Sequence, residues 1–475
     1  MPQPDSLLTD SATTGAADAV KKRAWLAGVE TVGITSGIMY YNNSVLSSSP
    51  FSKVTFKSME RNLKEFKWWW DEDYMYTNTI EHPYHGAIYY LTARENGMGV
   101  GVSSLFSLGG SMLWEVAAEA ELPSYNDMVT TPLGGVTLGE TLHRVSGCIL
   151  DESSRGLERI GRELLAGIIN PVGAVNRLLR GDAWRVSGQH HRIPVFETSV
   201  SAGFRHLHPG GQPTISSAYI NWYATYGDIM GAEGRGLFDY FNLEFTAALG
   251  SHQTFLNYTK VTSQLWKSEG QTLPSGTETT WGLYNHFYHV YAEPEYASPG
   301  SKKFRDCIGY SEVGSIGPGF AYRTAGQWTW EQQLYLNGVL LGATPVRLLD
   351  RVHGDMGYTW GSGYGAKAYS RLSLGESLRL RADIDFSHLF SWIGYDCADA
   401  ADLKKLRVSD TQGEAGNALT VIVAPTAEYW PTRKLGFEVR GRLMWHKLNY
   451  LHHRHTHMRS AEVSAGAILR IGQNK

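Results

Sequence analysis

The chain has 475 residues, of which only 19% are charged and 12% are aromatic, with 52 Gly, 15 Trp and 26 Tyr. That length suits two structural units or one large barrel with an appendage, and the composition is poor in the surface Lys and Glu of a cytosolic enzyme. A formal net charge of −3 gives no electrostatic footprint for a nucleic-acid partner, and three cysteines without a CxxC spacing exclude a disulfide framework or a zinc ribbon.

The N-terminal TGAADA stretch reads as a flexible polar lead. After Lys21, Lys22 and Arg23, the segment WLAGVETVGITSGIMYY (Trp25 to Tyr41) carries Glu30 and is too short and glycine-rich for a transmembrane helix. No small-residue cleavage site follows, so it is expected to be a helix of the mature chain, and no signal peptide is visible in this sequence. Residues 1–65 are expected to form this lead and its helices. FKWWWDED (Phe66 to Asp73) then sets aromatic rings beside three acids.

IEHPYHGAIYY opens the next helix, with Pro83 at the first helical position, where its missing N–H would be unpaired anyway. That helix is expected to reach Glu95 and to end at Asn96 and Gly97. A second helix, Val102 to Glu121, places Ser103, Ser107, Ser111, Glu115 and Glu119 four residues apart in one polar row that requires partners or water. PSYNDMVTTPLGG is expected to be a loop holding Asn126 and Asp127. Helical periodicity resumes from Leu138 to Asp151, with Glu140 placed for Arg144, and again from Arg155 to Ile169 until Asn170 and Pro171 stop it.

Near GDAWRVSGQHHRIP the period changes to two. In SLRLRADIDFS, Leu378, Leu380, Ala382, Ile384 and Phe386 share one face, with Arg379, Arg381, Asp383 and Asp385 on the other. Charges on every second residue cannot face a dry core unpaired, but they can face a wet barrel interior. Lys434 to His446 and Ala461 to Ile471 repeat the alternation, and Phe196, Val200, Ala202 and Phe204 begin it. Alternating segments start near 195, 213, 236, 252, 278, 308, 328, 361, 376, 417, 434 and 459, giving about 12 strands, an even number as in bacterial single-chain barrels. Short turns at 324–328, 373–377 and 430–434 alternate with long loops near 293–306, 343–360 and 392–416. The loop at 249–253 is shorter than this parity asks, and the closing IGQNK lacks a terminal aromatic. The fold class expected is therefore α+β: an N-terminal α-helical domain (66–185) followed by an antiparallel transmembrane β-barrel (195–475) in the outer membrane, the helical domain lying on the periplasmic side or in the lumen.

HPYHGAIYYLTARENG, GSMLWEVAAE, PSYNDMVTTPLGG and LGETLHRVSG, in that order, resemble the motifs of the bacterial domain of unknown function 3943 family over about residues 66 to 182. The resemblance implies an envelope protein of Gram-negative bacteria and carries no established activity. It also implies that His82, Gly86, Arg94, Trp114, Glu115, Glu119, Asn126, Asp127, Gly139 and Glu140 match the family pattern.

Three chemistries are open to these residues. His82 and His85 with Glu115 and Glu119 have the donor types for a divalent metal, although HPxxH is not HExxH. Ser111 could be a nucleophile with His82 or His85 as base and Asp127 or Glu115 as orienter, although no GxSxG elbow accompanies it. The third reading, in which the polar groups satisfy one another between helices, is the preferred one. For Glu140 with Arg144 and Glu158 with Arg162 a surface or interhelix ion pair is the default, and LHHRHTH (His452, His453, His455, His457) reads as a solvated loop before it reads as a metal collector. The expected function is non-catalytic, an assembly, transport or partner-binding component in contact with outer-membrane lipid and another envelope protein. An outer-membrane hydrolase acting on a lipid or other envelope substrate is the rival.

Overall fold

In the computed structural model the described residues are 22–45, 52–65, 67–70, 73–186, 196–210, 214–232, 234–250, 255–292, 308–345, 358–392, 415–452 and 454–474. The chain divides into two compact units, residues 1–71 with 77–194 and residues 72–76 with 195–475.

The first unit is helical: α1 (Ala24–Val45), α2 (Phe56–Glu65), α3 (His82–Glu95), α4 (Val100–Ala117), α5 (Asp127–Ile149), α6 (Gly156–Ile169) and α7 (Pro171–Arg180). Two expectations are corrected here. PSYNDMVTTPLGG is a loop only as far as Asn126; from Asp127 it forms the first turns of α5 and carries Pro132 inside the helix. Helix α4 ends at Ala117, so Glu119 lies beyond it and leaves the polar row. Helix α3 is entered through a π-helical turn, Thr77–Glu81, and Pro83 falls in the first turn after it, where an N–H is dispensable.

Glycine decides how α3 and α5 meet. A Cβ on Gly135 would stand 2.5 Å from the Gly86 carbonyl carbon and 2.7 Å from Ser107 Oγ, and a Cβ on Gly86 would collide with the Thr131 carbonyl. The glycines of HPYHG and TTPLGG are thus the two sides of one backbone-to-backbone contact. Gly139 does the same for the Tyr90 ring, which would lie 2.7 Å from an added Cβ.

The second unit is a barrel: β1 (Phe196–Pro209), β2 (Ile215–Tyr226), β3 (Phe241–Leu249), β4 (Leu256–Lys267), β5 (Gln271–Thr272), β6 (Glu278–Ala292), β7 (Ile308–Arg323), β8 (Trp328–Pro345), β9 (Tyr358–Leu374), β10 (Leu378–Ser391), β11 (Gly416–Tyr429), β12 (Leu435–Tyr450) and β13 (Thr456–Asn474). Each long strand pairs antiparallel with its neighbours, β1 pairs with β13, and β4 pairs with β6, so twelve strands close into a ring. The two-residue β5 adds only to β6 and was absent from the alternation pattern. The strands of 9 to 19 residues are long enough to cross a bilayer's hydrocarbon when tilted.

Period two decides the faces. Along β8, Trp330, Leu334, Leu336 and Leu340 are exposed while Glu331, Gln333, Tyr335 and Asn337 are buried. Along β12, Leu435, Phe437, Val439, Leu443 and Trp445 are exposed while Glu438, Arg440, Arg442 and His446 are buried. An apolar wall outside and ionic groups inside is the distribution of a membrane barrel and the reverse of a water-soluble one.

Candidate functional site

The helical unit brings most of the motif residues to one joint, where α4 and the starts of α3 and α5 converge. Residues 67–70 run beside residues 123–125: Trp69 N–H donates to the Pro123 carbonyl at 3.0 Å and Tyr125 N–H to the Trp69 carbonyl at 2.9 Å. The Tyr125 ring lies between Trp68 and Trp70, with centroids 5.9 and 6.1 Å away. KWWW (67–70) and PSY (123–125), separate in sequence, are the two sides of one clasp.

Below the clasp the polar groups interlock. Ser124 N–H donates to Glu115 Oε2 at 2.7 Å, Ser124 Oγ donates to Asn126 Oδ1 at 2.7 Å, and Asn126 Nδ2 donates to Asn78 Oδ1 at 2.7 Å. Asp127 N–H donates to Ser124 Oγ at 3.2 Å, which satisfies one of the free donors at the start of α5. His82 Nε2 lies 3.5 Å from Asp127 Oδ1, and both side chains are buried. Asn62 of α2 donates to the Glu115 and Glu121 carbonyls, tying the end of α4 into the same joint.

The remaining candidates have different surroundings. Ser111 Oγ donates to the Asp127 carbonyl at 3.3 Å and lies 3.7 Å from Met128 Sδ; neither partner can take its proton. His85 sits between the Tyr89 and Trp114 rings, each with its centroid 4.6 Å away. Its Nε2 is enclosed without a hydrogen-bond partner. Burial, and secondarily the nearby His82, lower its pKa to about 3, so it stays neutral. Trp114 Nε1 donates to Glu119 Oε1 at 2.7 Å. Ser107 Oγ donates to the Gly86 carbonyl at 2.9 Å.

The arrangement does not bring His82, His85, Glu115 and Glu119, the candidate metal set, together as one ligand group. Among the described residues no three His, Cys, Asp or Glu side chains come together as ligands. Glu115 is engaged by a backbone N–H, Glu119 by an indole, and His85 by two aromatic faces. His453 of the histidine loop lies outside the described residues, as do Cys307 and Cys397; Cys148 is buried, which pushes its thiol up to about 12.

Arg94, Tyr90 and Arg144 converge on Glu140. Of the surface and interhelix alternatives, Glu140 takes the second: it is a fully buried carboxylate that accepts from Arg144 Nε at 2.7 Å, from Arg94 Nε at 2.9 Å and Nη2 at 3.2 Å, and from Tyr90 Oη at 2.7 Å. Burial alone would raise its pKa, but the two guanidiniums hold it well below the usual carboxylate range. Glu158 and Arg162, by contrast, form the expected exposed pair at 3.0 Å.

In the barrel the inward charges pair along the wall, as Arg205 and Arg442 do with Glu462, and also across the lumen. Near the termini, Arg379 of β10 reaches Glu197 of β1 at 2.7 Å, and Arg323 of β7 bridges Glu331 at 2.9 Å and Asp228 of the β2–β3 loop at 2.7 Å. At mid-height, Arg440 of β12 contacts Glu244 of β3 at 2.8 Å and Glu438 at 2.9 Å, while Lys260 of β4 pairs with Asp383 of β10. Farther along, Lys367 lies 3.0 Å from Glu312 and 3.4 Å from Asp385, and Tyr310 of β7 bonds Ser387 of β10. Between these pairs lies a cavity of about 40 Å³, lined in part by Tyr223, Lys260, Glu331, Arg371 and Asp383. It has room for a few waters and not for a solute.

Residues 67–172 match the family model described as Domain of unknown function (DUF3943). No curated protein matches the chain. Among solved structures, the NanC porin is similar at 10% identity and a TM-score of 0.26, covering 57% of this chain and 98% of its own. The COG4313 outer membrane channel from Pseudomonas putida F1 is similar at 10% identity and a TM-score of 0.26, covering 60% of this chain and 99% of its own. The OmpT outer membrane protein of Vibrio cholerae is similar at 8% identity and a TM-score of 0.23, covering 58% and 99%.

Proposed function

We propose that this chain is a non-catalytic component of a Gram-negative outer membrane, a barrel sealed by its own luminal ion pairs whose helical unit binds a partner in envelope assembly or transport. The observation that carries the closed state is the set of ion pairs joining strands that are not neighbours, above all Arg440 of β12 with Glu244 of β3 and Arg379 of β10 with Glu197 of β1. A passive pore keeps a water-filled lumen; here opposite charges span it between strands that share no hydrogen bonds. The exposed Leu, Phe and Trp rows of β8 and β12 support the membrane location.

The non-catalytic reading of the helical unit rests on how its candidate groups are engaged. Ser111 has no base among its partners, and an enclosed, neutral His85 faces two rings. The polar joint works as a fastening: it holds α2, α4, α5 and the π-helical turn in one arrangement from which the surfaces of the unit are presented. In this reading the short turns lie at the periplasmic end and the long connections outside.

Planar-bilayer recording of the intact chain tests the closed state. The intact protein is expected to give no steady current, and Arg440→Ala combined with Glu244→Ala, which removes the mid-height pair joining β12 to β3, to give discrete conductance steps. A steady ohmic current from the intact chain would overturn the proposal.

A further inference from the structure

The helices of the first unit carry their polarity the wrong way round for a water-soluble domain. In α1, Ala27, Thr31 and Thr35 are buried, while Trp25, Val29 and Val32 on the other face are exposed. Thr31 bonds Thr92 Oγ1 at 2.9 Å and Thr35 bonds Tyr89 Oη at 2.9 Å, so the hydroxyls point into the unit. The lone charge of α1, Glu30, also turns inward and accepts from Asn96 at 2.9 Å and Asn176 at 3.1 Å.

Helix α4 repeats the inversion. Ser103, Ser107, Ser111 and Glu115 are buried, and Val102, Leu105, Leu108 and Met112 are exposed, with Leu105 at 66%. In α6, Arg159 is buried and donates to the Ala183 carbonyl at 3.0 Å and the Asp182 carbonyl at 2.7 Å. Its opposite face offers Leu157, Ile160, Leu164 and Ile168 at 87, 54, 64 and 78% exposure. Helix α7 ends the same way: Asn176 is buried and Leu179 is 78% exposed.

We infer that the outer faces of α1, α4, α6 and α7 are covered by lipid acyl chains, so that the helical unit is itself seated in a bilayer. A protein partner would cover one groove or one face, and soluble proteins rarely leave apolar patches beyond a few hundred Å² uncovered. Here four helices expose apolar rows at once, each backed by buried hydroxyl, amide or guanidinium groups. That arrangement is required when the surrounding solvent is hydrocarbon and polar groups must be satisfied inside. The dimensions agree. The 22 residues of α1 and the 18 of α4 are ~33 and ~27 Å long at ~1.5 Å per residue, against a hydrocarbon thickness of ~30 Å. By length and composition α4 is apolar enough to cross a membrane. Charged side chains on the outside lie on α2, where Lys57, Glu60 and Lys64 are exposed and suit a polar rim, and on the flank of the apolar row of α6, where Glu158 and Arg162 neutralise each other at 3.0 Å.

The test uses the full chain in native membranes, with a photoreactive diazirine amino acid placed singly at Val32, Leu105 and Leu164, and at Lys57 as the rim control. Heat-modifiable electrophoretic migration of the barrel confirms that each variant has folded. Mass spectrometry is expected to find phospholipid adducts at the three apolar positions in several-fold higher yield than at Lys57. The inference is overturned if those positions cross-link mainly to a second copy of the chain, to another protein or to the chain's own barrel, or if they react with water as readily as Lys57. None of these outcomes bears on conductance, so this reading and the closed-barrel reading stand or fall separately.

Discussion

Replacing Glu140 with Ala is the sharpest available test of how the helical unit is held together. The carboxylate accepts four hydrogen bonds, from Tyr90, Arg144 and twice from Arg94, and it is 0% exposed. Its loss leaves the Arg94 and Arg144 guanidiniums facing each other in a buried site without the charge that holds them. Breaking a buried ion pair from one side costs about 3–5 kcal/mol, most of it from the stranded charge. Shared between two arginines at 10% and 6% side-chain exposure, a value of about 4 kcal/mol is the expectation. Native-state hydrogen exchange of the purified chain reads it locally: amides of α3 and α5 should exchange faster by about three powers of ten, with the strands unchanged. Glu140→Gln should fall between, since it keeps the shape and loses the charge. The same carboxylate sets a pH dependence. Its folded pKa is depressed, so its contribution is present above about 4.3, the ordinary glutamate value, and is lost as pH falls below that, when the unfolded chain takes up the proton first. Exchange rates in α3 and α5 within a few-fold of wild type for Glu140→Ala would refute the reasoning, because the triad would then contribute nothing net.

Gly135→Ala should destabilise the α3–α5 contact by at least about 1–3 kcal/mol through overpacking against Gly86, read by the same exchange experiment, whereas Gly147→Ala, where an added Cβ meets nothing, should not. His85→Phe should be neutral or stabilising because it removes an enclosed, unpartnered Nε2. It should also abolish the part of the stability loss that the wild type shows as pH falls from about 6.5 towards the lowered His85 value, where only the unfolded state binds that proton. Ser111→Ala should leave any esterase or phospholipase activity of purified membranes unchanged, and a loss above tenfold with intact folding would restore the hydrolase reading. Cys148, buried with its thiol pushed up to about 12, should resist maleimide at pH 8 until the helical unit is unfolded, as peptide mass mapping would show.

The barrel could be read from the chain because a lipid-facing strand writes its environment at every second residue. In SLRLRADIDFS the alternation is strict, and β10 and β12 lie where it placed them. What the alternation does not carry is which inward charge meets which. Arg440 and Glu244 are far apart in sequence and on strands that share no hydrogen bonds, and only closure of the ring brings them to 2.8 Å. The same gap explains Glu140. Its i,i+4 neighbour Arg144 is visible on the helix, but Arg94 belongs to another helix, and without it a surface pair and an interhelix pair read alike. PSYNDMVTTPLGG was misread for a local reason. Pro and two glycines are ordinary loop signals, and here they sit inside α5 because Gly135 must pass Gly86 with no Cβ between them. The Ser and Glu row of α4 was legible as a row needing partners. That its opposite face stays uncovered was not, since an apolar stripe in a sequence reads first as a core.

The two units obey one rule of solvent, reached by different secondary structure. In the barrel, hydrogen bonds between strands satisfy the backbone, and the side chains are left to divide into an apolar wall and an ionic interior. In the helical unit the helices satisfy their own backbones, and their side chains divide the same way: Thr31, Ser107, Arg159 and Glu140 inward, Val32, Leu105 and Leu164 outward. Water would favour the opposite division in both. The polar joint at Ser124 to Asp127 then gains a reason that does not depend on chemistry. In hydrocarbon, packing apolar faces together gains little over leaving them in lipid, so helices are located by hydrogen bonds and by close glycine contacts. Those are the two kinds of contact that residues 67–172, the stretch matching the family model, supply: Asn78, Ser124, Asn126 and Glu115 for the first, Gly86, Gly135 and Gly139 for the second.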